Sequence, residues 1–216
     1  MPALSFLADD ANTAQRLLGK VVKSNSHCDY VVQVCDRHEL AEPPEPEDYG
    51  FGQFVKLEKD GRHWAVGVIY NSLLSNPMFL NSGPRLSSDP DPMFTPDLIS
   101  EVRTLLGVVL IGSLEPSASG TLCGNHGIPR LVVPIDTPVY AMTPTEVHGF
   151  HHSAAGRPQF AYYSHLLRSG GVFAAELTQQ VLAELVASDR FAEADQRALD
   201  ILCKELSWKT TMGAMR

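Results

Sequence analysis

The alternation of apolar and polar residues in the first third of the chain predicts two β-hairpins. In residues 18–34, β-branched residues flank a polar break at 23–27, which is typical of two strands joined by a turn. A second alternation covers residues 54–70 and is interrupted by Asp60-Gly61, a dipeptide that favours a two-residue hairpin turn. Both predicted hairpins therefore precede residue 71.

Two segments without this alternation are predicted to be loops. Residues 36–48 concentrate prolines and acidic residues; prolines block ladder bonding and helix continuation, and the like charges repel one another. Residues 74–95 are rich in Asn, Ser, Gly and Pro, and connections of this length are often functional. Directly after them, Thr95-Pro96-Asp97 has a helix N-cap followed by proline at the first helical position, which predicts an inserted helix over 95–106.

The second half of the chain changes from strand signals to helix signals. The wholly apolar run 107–112 predicts a strand covered on both faces, and residues 131–134 and 139–142 are interpreted as the last strands. Thr143 and Glu146 then form a capping box, after which apolar residues recur at helical spacing to the end of the chain. The fold class is therefore α+β, mainly β in its first part, with an N-terminal extension (1–16), a β region (17–142) and a helical C-terminal extension (143–216).

Composition argues against nucleic acid as a binding partner and against a membrane-spanning segment. The chain has 216 residues, a net charge of -8 at pH 7 and 4 cysteines. Direct binding to nucleic acid is not expected, because that attraction depends on clustered Lys and Arg. Asp9 and Asp10 come before any long apolar run, and no stretch has the length of a membrane span. Reduced thiols suit an intracellular protein better than a disulfide framework, so a cytoplasmic location is expected.

The common catalytic motifs are missing from the sequence. The only Gly-Lys pair, Gly19-Lys20, is followed by Val21 rather than by the hydroxyl residue of a phosphate-binding loop. Neither a G-x-S-x-G nucleophile elbow nor an H-E-x-x-H zinc helix occurs. No catalytic residues and no cofactor are therefore assigned, and a protein without enzymatic activity is favoured.

Two Cys-x-x-His pairs are the most specific local signal for chemistry. Cys35 with His38, and Cys123 with His126, have a spacing at which a thiolate and an imidazole can share one metal. Together the four residues would form a tetrahedral zinc site, either in a zinc-binding protein or in a zinc-dependent hydrolase. The alternative is that the cysteines are small buried hydrophobes and the histidines are solvated.

Three segments resemble the HAS barrel, the domain shared by HerA-type helicases and the catalytic-head subunits of ATP synthases. They are Leu18-Gly19-Lys20-Val21-Val22, residues 49–57 (YGFGQFVKL) and residues 65–70 (AVGVIY). They match, in order, the opening G-x-V strand, the G-x-F/Y-V-x-I/L strand and the G-V/I-I/V strand of that family. The resemblance implies a small closed six-stranded β-barrel over residues 17–142.

The resemblance also implies a role in assembly, since HAS barrels mediate ring formation or dock a partner while ATP chemistry lies in a separate core. The expected function is a non-catalytic adaptor that binds a protein partner, such as a motor ATPase or another large assembly, and forms a homo-oligomer. Phe150, Phe160, Tyr162, Tyr163 and Trp208 are either interface residues or the contact between barrel and helices. A nucleotide or small-molecule sensor is a further alternative.

Overall fold

The structure, a computed structural model, describes residues 15–75, 103–116, 120, 122–169, 173–188, 191 and 193–214. Its strands are β1 (Leu17–Ser24), β2 (Asp29–Val34), β3 (Phe54–Lys59), β4 (Arg62–Ser75), β5 (Arg103–Pro116), β6 (Leu122–His126) and β7 (Pro138–Ala141). A short 3₁₀ helix covers Pro46–Tyr49. The helices are α1 (Pro144–Phe150), α2 (Tyr163–Ser169), α3 (Ala174–Ala187) and α4 (Glu193–Ala214).

Six strands close into an antiparallel barrel in the order β1–β2–β5–β4–β3–β7, and β7 returns to β1. The fold class predicted from the sequence is therefore confirmed. Both predicted hairpins form, and at the tip of the second one Asp60 and Gly61 have φ values of 54° and 71°, as the favoured two-residue turn requires. β6 lies outside the closed ring and pairs with the end of β5.

The central strand β5 buries both of its faces. One face of β5, with Leu106, Val108 and Leu110, fills the barrel interior. The other face, with Val109 and Ile111, packs under the helices. Because successive side chains of a strand point to opposite faces, the apolar run predicted as a doubly covered strand is explained by these two cores.

The helices attach to the outer wall of the barrel through α1, α2 and α3; in α2, His165 Nε2 is hydrogen-bonded to Leu110 O of β5 at 3.1 Å. The Thr143–Glu146 capping box is present, with the Glu146 amide donating to Thr143 Oγ1 at 3.3 Å. Glu146 also forms an ion pair with the buried Lys56 of β3, which fixes the start of α1 on the wall. Leu177 and Val181 of α3 are fully buried in the same core.

Two predictions about local structure are wrong. The last four residues of the predicted helix 95–106 belong to β5, where Leu105 pairs with both Gln33 and Leu73; pairing on both sides outweighs the local helix signal. Residues 95–102 lie outside the described part of the chain. Residues 131–134 form no strand, because Pro129 and Pro134 cannot donate to a ladder, and the strand that precedes β7 is instead β6.

Candidate functional site

One end of the barrel is crossed by residues 127–137, called here the cap segment, which connects β6 to β7. Val133 is 3% exposed and packs into the barrel interior, where its amide donates to the Tyr30 hydroxyl at 3.1 Å. At the end of the segment, the Asp136 amide donates to Val21 O and the Val21 amide donates to Thr137 O, at 2.8 and 2.9 Å. The cap segment is thus anchored on rigid strands although it has no regular structure.

The outward face of the cap segment carries four exposed aliphatic side chains, beside the exposed Arg130 and Asp136. Ile128, Leu131, Val132 and Ile135 are 51–64% exposed, and together they are called here the aliphatic surface. Single exposed apolar residues are common on proteins, whereas a group of them marks an interaction site. Four large aliphatic side chains within eight consecutive residues, on a segment held at both ends, therefore form a candidate docking surface.

A cleft of about 630 Å³ lies beside the cap segment, between the start of β4 and the ends of β5 and β6. This volume is within the range of ligand sites, about 300–1,000 Å³. The cleft is lined by polar residues and by apolar residues that include members of the aliphatic surface: His63, Ser113, Glu115, Asn125 and Arg130, with Trp64, Ile128 and Leu131. It therefore offers both hydrogen-bonding groups and apolar contact.

Glu115 is the acidic group of the cleft. Its carboxylate accepts from Ser113 Oγ and from Asn125 Nδ2, both at 3.4 Å. Contacts at this distance are weak hydrogen bonds, and Glu115 is exposed. The carboxylate consequently keeps most of its capacity to accept from a ligand.

His63 supplies a hydrogen-bond donor. Its Nε2 accepts from the Leu114 amide at 2.9 Å, so in the neutral ring Nδ1 carries the hydrogen. Burial, together with the charge of nearby Lys56, lowers the pKa of His63 to about 4. The ring is therefore neutral at pH 7, and its Nδ1 is a donor.

Trp64 carries an unsatisfied polar atom at the cleft. Its Nε1 is the one buried side-chain nitrogen or oxygen without a hydrogen-bond partner in the described part of the chain. The Arg62 guanidinium lies 4.1 Å from the centre of the indole ring, as a cation–π contact requires. A buried donor without a partner costs about 1–3 kcal/mol, so the indole N–H is an uncompensated polar group at this end of the barrel.

The model of one protein family, Domain of unknown function (DUF8166), matches residues 7–216. The chain belongs to this family. No curated protein matches the DUF8166 chain. Across the part of the chain that the structure describes, no helix is long and apolar enough to cross a membrane.

The four predicted zinc ligands of the DUF8166 chain lie at opposite ends of β5. Asp36, next to Cys35, pairs with Arg103 at the start of β5, while Cys123 faces Glu115 near its end. The two ends are about 40 Å apart along the strand, at about 3.3 Å per residue.

Three of the four ligand side chains, those of Cys35, Cys123 and His126, are also buried or hydrogen-bonded locally. Burial raises the pKa of the Cys35 thiol, and the backbone amide of His38 donates to Asp36 at 2.8 Å.

In the second pair, Cys123 Sγ donates to Glu115 O at 3.2 Å. Both ring nitrogens of His126 are occupied, since Nε2 donates to Phe150 O at 2.8 Å and Nδ1 accepts from the Ala161 amide at 3.2 Å. Within the described ranges no group of three or more His, Cys, Asp or Glu is placed to hold a metal, so the predicted tetrahedral site is not formed.

Five aromatic residues were predicted to lie either at an interface or between the barrel and the helices. Two of them are buried inside the protein. Phe150 is 0% and Tyr162 is 1% exposed, between the wall and the helices of the DUF8166 fold. Tyr162 also bonds to His151, whose Nδ1 donates to Val147 O at 2.7 Å and whose Nε2 accepts from the hydroxyl at 2.8 Å. These two aromatic rings join barrel and helices and are not available to a partner.

Sequence reasoning missed the residues of the cleft and the aliphatic surface. The strand assigned to residues 131–134 hid the aliphatic surface, although prolines at 129, 134 and 138 are a signal against a central strand. Ser113, Glu115 and Asn125 carry no motif, and they meet only because β6 folds back on β5. No pattern in the sequence could have grouped them.

Proposed function

We propose that this chain is a non-catalytic adaptor or assembly module that docks a protein partner through the aliphatic surface of its cap segment. The observation that carries the proposal is the group of four aliphatic side chains, all at least 51% exposed, on a segment anchored to the barrel. Burying such side chains against a partner yields about 25 cal/mol per Å² of apolar area. A rigid support reduces the ordering cost of binding.

The HAS-like strand segments support the same function from the sequence. In that family the barrel is the part that contacts neighbouring subunits or partners, and ATP chemistry belongs to another domain. We therefore propose a partner with an apolar docking face within a motor ATPase or another large assembly, and a homo-oligomeric state. The described cysteines are free thiols, which agrees with action in the reducing cytoplasm.

The test is affinity purification of the tagged full chain from its own cells, followed by mass spectrometry and measurement of the oligomeric mass. The variant Val132→Asp/Ile135→Asp places two charges on the aliphatic surface, and we expect it to lose a partner that the wild-type chain retains in stoichiometric amount. Ile201→Asp is the matched control, because Ile201 is equally exposed, at 59%, but lies on α4. A partner retained by the double variant, or a wild-type chain recovered alone as a monomer, would overturn the proposal.

A further inference from the structure

The cleft and the aliphatic surface are continuous. Ile128 and Leu131 line the cleft, and both also belong to the aliphatic surface. A small molecule would fill only the cleft, whereas a chain segment of a docked partner can cover the aliphatic surface and then enter the cleft. This continuity favours a segment of polypeptide as the occupant.

The polar groups of the cleft match a peptide backbone. Each peptide unit presents one N–H donor and one C=O acceptor. The cleft offers the carboxylate of Glu115 for the donor, and the side chains of His63, Asn125 and Arg130 for the acceptor. Of the described residues that line the cleft, Arg130 alone is cationic at neutral pH, and Glu115 would repel a phosphate group. Nucleotides therefore fit the cleft less well than a peptide does.

The unpaired indole adds a specific anchor. Trp64 Nε1 has no partner, and the Arg62 side chain lies over the ring. A segment that enters the cleft and brings a carbonyl oxygen to Nε1 removes the cost of the unsatisfied donor. Tryptophan and arginine are also the residue types that most often dominate binding energy at interfaces.

From this geometry we infer that the cleft binds an extended segment of the docked partner, with one carbonyl accepting from Trp64 Nε1 and one backbone N–H donating to Glu115. The inference rests on the proposed function, because it names the part of the partner that this end of the barrel recognises. Apolar side chains of the segment cover the aliphatic surface, while its backbone is held in the cleft. The ligand class is thus a linear peptide with apolar residues beside the bound unit.

The test is a phage-displayed library of random linear peptides, selected against the full chain carrying Trp208→Phe. The chain has 2 tryptophans, so this variant leaves Trp64 as the only indole fluorophore. Enriched peptides are synthesised and titrated, and binding is followed by the emission of Trp64. We expect the emission to shift on binding, because its N–H gains a partner.

Three variants locate the bound peptide, and the affinity of each for the peptide is measured by calorimetry. Asn125→Phe fills the cleft at an exposed position of β6, and we expect it to weaken binding about tenfold or more. Ser164→Phe makes the same kind of change at an exposed position of α2 and should leave affinity within about twofold, as expected for a site with no contact to the ligand. Trp64→Phe removes the indole N–H together with part of the ring surface, and should weaken binding at least about fivefold, the cost of one lost hydrogen bond.

The outcomes separate this inference from the proposed function. Peptides that lose affinity with Val132→Asp but not with Asn125→Phe would show docking on the aliphatic surface without use of the cleft, which overturns the inference and leaves the proposed function intact. In a second case the library yields no peptide, while the wild-type chain still retains a partner that Val132→Asp/Ile135→Asp loses. This result, too, would overturn the inference and leave the proposed function intact. Affinity lost with both variants, together with the emission shift, supports the inference.

Discussion

The barrel is covered in two places: the helices lie on its outer wall, and the cap segment crosses one end. The two coverings differ in how many of their buried polar groups have hydrogen-bond partners. On the outer wall, Lys56 is paired with Glu146, and both nitrogens of the buried His151 are bonded. At the cap end, Trp64 Nε1 has no partner, and four aliphatic side chains face solvent. At the wall, the chain's own helices cover the apolar surface and bond the buried polar groups. At the cap end, another molecule could cover the exposed side chains and bond the unpaired N–H.

The two coverings also use the chain differently. α1 and α3 meet the wall with apolar faces that are fully buried, so their contact stabilises the fold. The cap segment buries Val133 but exposes its neighbour Val132 at 63%, so only one of its faces serves stability. Substitutions at the wall should therefore change stability, while substitutions on the aliphatic surface should change binding alone.

The largest effect is expected from Gly124→Ala at the contact between β6 and α1. A Cβ atom at this position would lie 1.9 Å from Phe150 O and 2.7 Å from Phe150 C. Backbone atoms cannot move aside unless α1 shifts, and the bond from the Gly124 amide to His152 O, 2.9 Å, would be lost with that shift. We expect unfolding free energy to fall by about 4 kcal/mol, a value reached only by severe steric or polar disruption.

Urea unfolding measures this change, with Leu122→Ala as the control on the same strand. Leu122 is 43% exposed, so shortening it should cost less than about 1 kcal/mol. Equal losses for the two variants would mean that the contact between Gly124 and Phe150 does not hold the helices on the wall.

The next largest effect is a loss of stability in mild acid, caused by the imidazoles of the wall. Burial lowers the pKa of His126 to about 4 and that of His151 to about 3, whereas an unfolded histidine titrates near 6.5. Below pH 6.5 the unfolded chain binds protons that the folded chain excludes, so stability is complete above 6.5 and falls as the pH decreases toward 4. Over the range from 6.5 to 5 we expect a loss of about 3 kcal/mol for these two groups together, and His63, with its pKa also near 4, adds about half as much again.

Unfolding free energy measured at several pH values checks this slope. His151→Gln should reduce the slope between pH 6.5 and 5, while His38→Gln, which replaces an exposed imidazole, should leave it unchanged. A wild-type stability that stays constant over this range would contradict the burial of these rings in neutral form.

A smaller effect is expected from Tyr162→Phe, which removes the donor to His151. Both residues are 1% exposed, so the substitution leaves Nε2 of His151 buried without its 2.8 Å bond. A buried acceptor without a partner costs about 1–2 kcal/mol. Thermal unfolding measures the change, and Tyr163→Phe at the neighbouring, half-buried position should stay within about 0.5 kcal/mol of the wild type.

The structure of the wall is also easier to predict from the sequence than the structure of the cap end. The wall follows from local patterns: the Asp60-Gly61 turn, the Thr143–Glu146 box and the strand predicted from the apolar run 107–112 are all present in the structure. These signals act within a few residues, and the elements that they specify need no special partner.

The cap end could not be predicted in this way. Residues 131–134 satisfy the composition of a strand, but they pair with none of the described strands, and Val133 is held instead by the Tyr30 hydroxyl, 103 positions away along the chain. The cleft depends on the same kind of distant contact, since Glu115 meets Asn125 through the return of β6. The Cys-x-x-His pairs had a specific spacing within each pair, yet the distance between pairs depends on the barrel, which separates them along β5.

The smallest effect on stability is expected on the aliphatic surface. It tests directly whether this surface serves binding and not the stability of the fold. Val132→Asp/Ile135→Asp replaces two side chains that are 63% and 64% exposed, so unfolding free energy should change by no more than about 0.5 kcal/mol. Val133→Ala truncates the adjacent residue, which faces the interior at 3% exposure, and should cost about 2 kcal/mol because it leaves a cavity. Urea unfolding of both variants provides the comparison. A large loss in the double aspartate variant would mean that the aliphatic surface is part of the fold's own packing, and the cap segment would then have no face left for a partner.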